Sequence, residues 1–269
     1  MLNVIRMELH RMFRMRSFYF TLALCTAMLA GLICLLAPML NQESNSSQVG
    51  GVSLTISEEG QEYIEQEGVT ADFATQFIAL DSTFVVIFMA CFVDSFNEGF
   101  RKNVIAKVRN RWYFQISNAV VVLLYAAILL AVTTIISLGL CKGLIHGFTF
   151  DNMDMLLRFL VGEYGLMAAM GVFSVFFTEL SGSKIPSIVI CLAASNVINV
   201  AMIPLNHKLS EWLSRDIEIQ HFFPLLYQPE FQAENVTMKV MLHAVVLSLV
   251  FFVMYNAAGA ALVSKRDVK

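Results

Sequence analysis

The residues of this chain able to do chemistry are few, and they sit in apolar company. Asp81, Asp94, Glu163, Asn196 and Asn199, with Thr133 and Thr134, fall inside or at the ends of long apolar runs. A polar side chain so placed must bond to a neighbouring helix or line a path for a polar solute. Glu163 is foremost among them. It lies about one turn inside an apolar run, between Gly162 and Gly165, which reads as helix packing or as an unwound entry to that run. Asn196 and Asn199 are three residues apart, so in a helix they share a face. Glu163, Asn196 and Asn199 are therefore the candidate pathway residues.

Catalysis lacks a comparable constellation. There is no H-E-x-x-H, no G-x-S-x-G and no paired histidine set; His10, His146, His207, His221 and His243 are dispersed. Cys25, Cys34, Cys91, Cys141 and Cys191 show no C-x-x-C or metal-ligand spacing and read as small hydrophobes. A G-x-x-x-x-G-K-S/T loop is absent too, so the chain does not grip a nucleotide through a P-loop. The expectation is no catalytic residue, no metal, no cofactor in this chain and no nucleic-acid partner.

The elements that carry these residues follow from composition. Of 269 residues, 57% are apolar and 14% charged, where a soluble domain has roughly 25% charged residues. So few charges cannot cover a water-exposed surface, and the chain reads as an all-α polytopic membrane protein in contact with the lipid bilayer. A helix crosses the hydrocarbon core with about 20 apolar residues. Six stretches qualify, making 1–269 a single transmembrane domain: 18–40, 77–96, 114–140, 159–177, 185–204 and 240–263. The second carries Asp81 near one end and Asp94 near the other, and the fourth is interrupted by Gly162, Glu163 and Gly165. The first is long and follows a basic segment, 1–17, so no cleavable signal peptide is expected.

Charge sets the orientation. With both termini in the cytoplasm, Arg6, Arg11, Arg14 and Arg16, then Arg101, Lys102, Lys107, Arg109 and Arg111, then Lys184, then Lys265, Arg266 and Lys269 are all inside. Lys142, Arg158, Lys208, Arg215 and Lys239 remain outside, on outer loops 41–76, 141–158 and 205–239. The first of these holds Glu43, Glu58, Glu59, Glu62, Glu65, Glu67 and Asp72 without any Lys or Arg. It is a solvated loop, with Gly50-Gly51 suggesting flexibility, or a vestibule that draws in cationic solutes. In the last outer loop, Pro224 and Pro229 break the chain after an amphipathic stretch at 207–217.

Two inner segments are amphipathic. Leu2, Ile5, Leu9, Met12 and Phe13 recur at helical spacing in 1–17, with Arg6, Arg11 and Arg14 elsewhere, as in a helix lying in the interface. In the inner loop 97–113, Phe100, Val104 and Val108 share a face, with Arg101, Lys107 and Arg111 off it. Such a helix presses onto the membrane or onto another protein. Trp112 and Tyr113 then anchor the third span. Ala23, Ala27 and Gly31 form a small-residue stripe in the first span, repeated by Ala257 and Ala261 in the sixth, for contacts within the bundle or between copies.

This layout resembles the permease subunit of type-2 ABC transporters, in particular the stand-alone permeases of bacitracin, lantibiotic and sodium efflux systems. The local likeness lies in Phe96-Asn97-Glu98-Gly99-Phe100-Arg101-Lys102-Asn103 and Arg109-Asn110-Arg111-Trp112-Tyr113, with Phe100 where family members usually have Thr. The resemblance implies a cytoplasmic coupling helix, with Glu98, Gly99, Phe100, Arg101, Val104, Lys107 and Arg111 docking on a separate ATP-binding cassette ATPase that binds Mg-ATP. It makes 1–17 an elbow helix and the turn 179–184 a second, smaller contact. It also implies a second copy or homologous permease, a bacterial plasma-membrane location, and export of an amphipathic or cationic peptide antibiotic, with antimicrobial peptide resistance as the outcome. The competing readings are a secondary transporter driven by an ion gradient and a non-transport sensor or accessory subunit.

Overall fold

The computed structural model describes residues 2–40, 47–49, 52–54, 75–78, 81–97, 112–146, 148–193, 219–233 and 236–265. They are helical apart from turns, caps and one small antiparallel pair of strands, Ser47–Val49 with Val52–Leu54. The helices are α1 (Leu2–Arg14), α2 (Arg16–Leu40), α3 (Thr75–Ile78), α4 (Asp81–Asn97), α5 (Tyr113–Leu144), α6 (Met153–Ser181), α7 (Lys184–Ala193), α8 (Pro224–Ala233) and α9 (Met238–Lys265). Four of them, α2, α5, α6 and α9, are long and apolar enough to cross a membrane. The protein is an α-helical membrane protein.

The long helices divide into a centre and a rim. In its most apolar stretch α6 is 72% buried within the chain, against 11% for α9. The outer face of α9 shows Leu242, Val246, Leu249, Val250 and Val253, and that of α2 shows Tyr19, Phe20, Leu24 and Met28. Apolar surface of this extent is sheltered from water only by lipid or by other helices. The inward face of α2 is Thr21, Cys25, Leu29, Ile33 and Ala37, recurring every fourth residue. Ala23, Ala27 and Gly31 face outward instead, and a side chain at Gly31 would meet nothing. The larger side chains interlock with α5, and among the described residues the small-residue stripe lies on the exposed side of α2.

Expectation and structure part at Gly162 and Gly165. The sequence suggests a break there, yet α6 runs unbroken through both. Each glycine in a helix costs about 1 kcal/mol, and here the absence of a side chain is used for packing. A Cβ at Gly162 would overlap the ring of Phe231, and one at Gly165 would press on Ser248 at 3.2 Å. Farther along, a Cβ at Gly171 would collide with Val122 and Val85, so α6, α5 and α4 meet at van der Waals contact there. The helix ends at Gly182, whose φ of 71° is a left-handed cap that glycine adopts without a Cβ clash.

The second apolar stretch forms a helix, α4, that is shorter than the four long helices and largely buried among them. α4 has 17 residues, about 25 Å at 1.5 Å per residue. Val85, Phe88, Met89, Ala90 and Phe92 are wholly buried, so it is apolar nearly all round, as a helix surrounded by others must be.

Candidate functional site

The polar residues gather at the two ends of α4. Its first residue, Asp81, is fully buried. The Cys25 thiol of α2 points at Asp81 Oδ1 over 3.3 Å, and the Thr133 hydroxyl of α5 donates to Oδ2. The free amides of the first helical turn add a favourable field for a carboxylate there. A second junction begins one residue later. The side-chain amide of Gln228, on α8, donates to Ser82 Oγ and, over 2.9 Å, to Glu163 Oε1 on α6. Ser82, Glu163 and Gln228 are all buried. Five helices thus converge, through Cys25, Asp81, Ser82, Thr133, Glu163 and Gln228, on the start of α4. We call this the lock.

The lock depends on an element that the sequence hides in a loop. Pro224 and Pro229 suggest broken chain, whereas α8 is a helix that starts at Pro224. Proline suits the first helical position because its missing N–H has no partner there in any case. The turn is closed by Leu226 and Tyr227 amides on Phe223 O, at 3.0 and 2.9 Å. α8 then runs antiparallel to the first half of α6. Leu225 packs by Met170 and Phe173, Gln228 meets Glu163, and Phe231 stacks on Phe159 at 5.5 Å over Gly162. Its foot therefore reaches the midpoint of α6, so α8 is a short helix that lies within the depth of the long helices. Such a segment stays in an apolar layer only when protein covers it, and Leu226, Tyr227, Gln228 and Phe231 are indeed buried. The preceding 3₁₀ turn (Ile219–Phe222) is pinned to α9, where His243 Nε2 lies 2.9 Å from His221 O.

Midway, α4 is gripped by packing. Phe88 stacks on Tyr125 of α5 at 3.9 Å, and Phe18 of α2 meets both rings edge-on. On the other side Ser174 of α6 donates to Val86 O at 3.0 Å and pairs with Ser187 of α7 at 2.9 Å.

The far end is held by charges. Arg11 of α1 donates from Nη2 to Phe92 O at 3.0 Å and lies 3.9 Å over the Phe92 ring, a cation over an aromatic face. Glu8, one turn earlier, pairs with Arg11 Nε at 3.2 Å. Burial pushes the Glu8 carboxyl above its usual range and Arg11 partly offsets this; burial likewise lowers Arg11. On the opposite side Lys184, the first residue of α7, pairs with Asp94 Oδ2 at 3.2 Å. Ser95 reaches Met15 Sδ at 3.7 Å. We call this end the clamp.

Of the residues singled out by sequence, Glu163, Asp81 and Thr133 come together in the lock, and Asp94 falls in the clamp. Thr134 donates instead to Leu130 O of its own helix. Asn196, Asn199 and the expected coupling residues Glu98, Gly99, Phe100, Arg101, Val104, Lys107 and Arg111 lie outside the described residues. Cys25 and Cys141 are buried as expected of small hydrophobes, but Cys34 is exposed. Among the described residues no group of His, Cys, Asp and Glu is arranged to hold a metal. Gln228, Ser82, Arg11 and Lys184 as site residues escaped the sequence reading. No family model and no curated protein matches the chain.

Proposed function

We propose that this chain is the membrane-spanning permease subunit of an ATP-driven exporter, with six spans and both ends in the cytoplasm of a bacterial plasma membrane. Energy comes from a separate ATP-binding cassette ATPase, and a second copy or a homologous permease completes the pathway. The substrate is an amphipathic molecule, foremost a cationic peptide antibiotic. Its class fits the acidic loop 41–76, which carries no Lys or Arg, and spans rich in Phe and Met.

The observation that supports this reading is the position of α4. One end leads directly into the basic connector 98–111, the segment that resembles a coupling helix. The other end begins in the lock that holds α8. A buried helix gripped along its length moves as a unit, because packed interiors transmit displacement rather than absorb it. A partner pushing on the connector thereby shifts Asp81 and Ser82 relative to Glu163 and Gln228, about 25 Å away by helix rise. Export by alternating access needs this kind of link between an ATPase surface and a buried gate. Glu163, with Asn196 and Asn199, then lies beside the path that the gate controls.

The test is co-purification and transport. An ATPase subunit co-purifies with the chain, and Phe100→Asp with Val104→Asp abolishes its capture while the permease stays folded. Deletion of the chain raises sensitivity to cationic peptide antibiotics. No captured ATPase together with unchanged sensitivity overturns the proposal. A second reading, a transporter driven by an ion gradient, is favoured by the buried carboxyl residues Asp81 and Glu163 of the lock. Transport that survives ATP depletion but stops when the proton gradient is collapsed selects it.

A further inference from the structure

At the foot of α8 lies a cavity of about 200 Å³ between α6, α7, α8 and α9. Ala169, Met170 and Phe173 form its back, Ile190 and Tyr255 its sides, and Phe223 to Leu226 its roof. We infer that this cavity is a binding site for the end of one hydrocarbon chain of a membrane lipid. The inference does not depend on the transport reading.

Three observations carry it. The first is depth. Met170 and Phe173 lie midway along the 29 residues of α6, and Tyr255 lies just past the middle of the 28 residues of α9. Both helices are long and apolar enough to cross a membrane, so their midpoints sit where chain ends rather than headgroups are found. The second is chemistry. The lining is apolar apart from the Tyr255 hydroxyl, so water finds too few partners to fill the space, and a dry void forfeits dispersion contacts along its whole wall. The third is access. Among the described residues the cavity is partly open, Phe223 in its wall is 45% exposed, and the adjoining Phe222 is 60% exposed. A chain end enters sideways without leaving the hydrocarbon layer. What it gains is contact, since a lipid tail is already out of water.

Size limits the ligand. An apolar cavity of about 150 Å³ takes a molecule the size of benzene, so about 200 Å³ admits the terminal few carbons of a chain and excludes a whole lipid. Because the roof is the first turn of α8, the inserted chain end props that helix at its start. It thereby supports α8 one turn before Gln228, whose amide bonds Glu163 and Ser82.

The test uses the full chain in vesicles containing a phosphatidylcholine with a photoactivatable diazirine at one chain end. Illumination is expected to attach lipid to Met170, Phe173 and Leu226, which are nearly or fully shielded from bulk lipid. Ile190→Trp, and independently Met170→Phe, narrow the space and are expected to lower adducts at the remaining positions at least five-fold. Adducts on the outward residues Val246 and Leu249 serve as the control and stay unchanged. Labelling confined to Val246 and Leu249, or interior labelling equal in wild type and both variants, overturns the inference. Interior labelling by a diazirine-bearing amphipathic peptide but not by the lipid also overturns it, and assigns the cavity to a transported molecule.

Discussion

The two ends of α4 are held by different physics. At the lock, uncharged donors, the Cys25 thiol, the Thr133 hydroxyl and the Gln228 amide, meet Asp81 and Glu163 out of reach of solvent. At the clamp, charges hold the opposite end: Arg11 and its partner Glu8 are mostly buried, whereas Lys184 is half-exposed over Asp94. A buried hydrogen bond is lost all at once, because the group left behind has no water to turn to. A solvated ion pair weakens gradually and responds to salt. The lock is therefore expected to part all at once, and the Lys184–Asp94 pair of the clamp to yield gradually with salt.

Breaking the lock gives the largest effects. Phe231→Ala removes the ring that stacks on Phe159 and covers Gly162, and is expected to cost about 3–5 kcal/mol. A thermal melt of the purified protein in detergent measures it. Next is Gln228→Leu, which keeps the side-chain size but removes the amide shared by Ser82 and Glu163. A loss of about 1–3 kcal/mol is expected, together with faster protease cleavage near α8; an unchanged melt would mean that the lock does not hold the helix.

The clamp gives smaller and tunable effects. Lys184→Ala is expected to cost less than about 1 kcal/mol at low salt, with wild type and variant converging at ~1 M salt. A difference that persists at high salt would contradict the solvated character of the Lys184–Asp94 pair. The pH effect is smaller still. Burial raises the Glu8 carboxyl in the docked state, so docking of α1 binds a proton more tightly than free chain does. Docking is then most favoured below the ordinary glutamate range, and that advantage is lost as pH rises through the raised value. Glu8→Gln should flatten the dependence, read as accessibility of a label on Leu2 as pH rises from the ordinary glutamate range.

Much of this fold can be read from apolar run length. The stretches 18–40, 114–140, 159–177 and 240–263 coincide with α2, α5, α6 and α9, because lipid tolerates few charges and demands long helices. α4 was legible as a stretch with an acid near each end, though its enclosure was not. Glu163 stood out because an ionisable group in an apolar run needs a partner. The partner itself did not. Gln228 lies in Phe222-Phe223-Pro224-Leu225-Leu226-Tyr227-Gln228, where proline suggests a loop, although Pro at a helix start with an apolar run too short to span is the pattern of a short buried helix. Gly162 and Gly165 misled for a related reason: their helix penalty is local, while the packing of Phe231 and Ser248 against them is long-range and leaves no trace in spacing. The contacts of Arg11 and Lys184 with α4 join positions more than 80 residues apart, which no periodicity reveals.

The central claim is that α4 links its two ends as one rigid piece. Amide hydrogen exchange of the full chain in lipid nanodiscs tests it most directly, comparing wild type with Arg11→Ala. Arg11 holds the clamp end of α4, about 25 Å by helix rise from the lock. The account expects faster exchange in α1, in the last turns of α4 and also in the α8 segment 224–233 at the lock. Faster exchange confined to α1 and the clamp end, with α8 protected as in wild type, would contradict it.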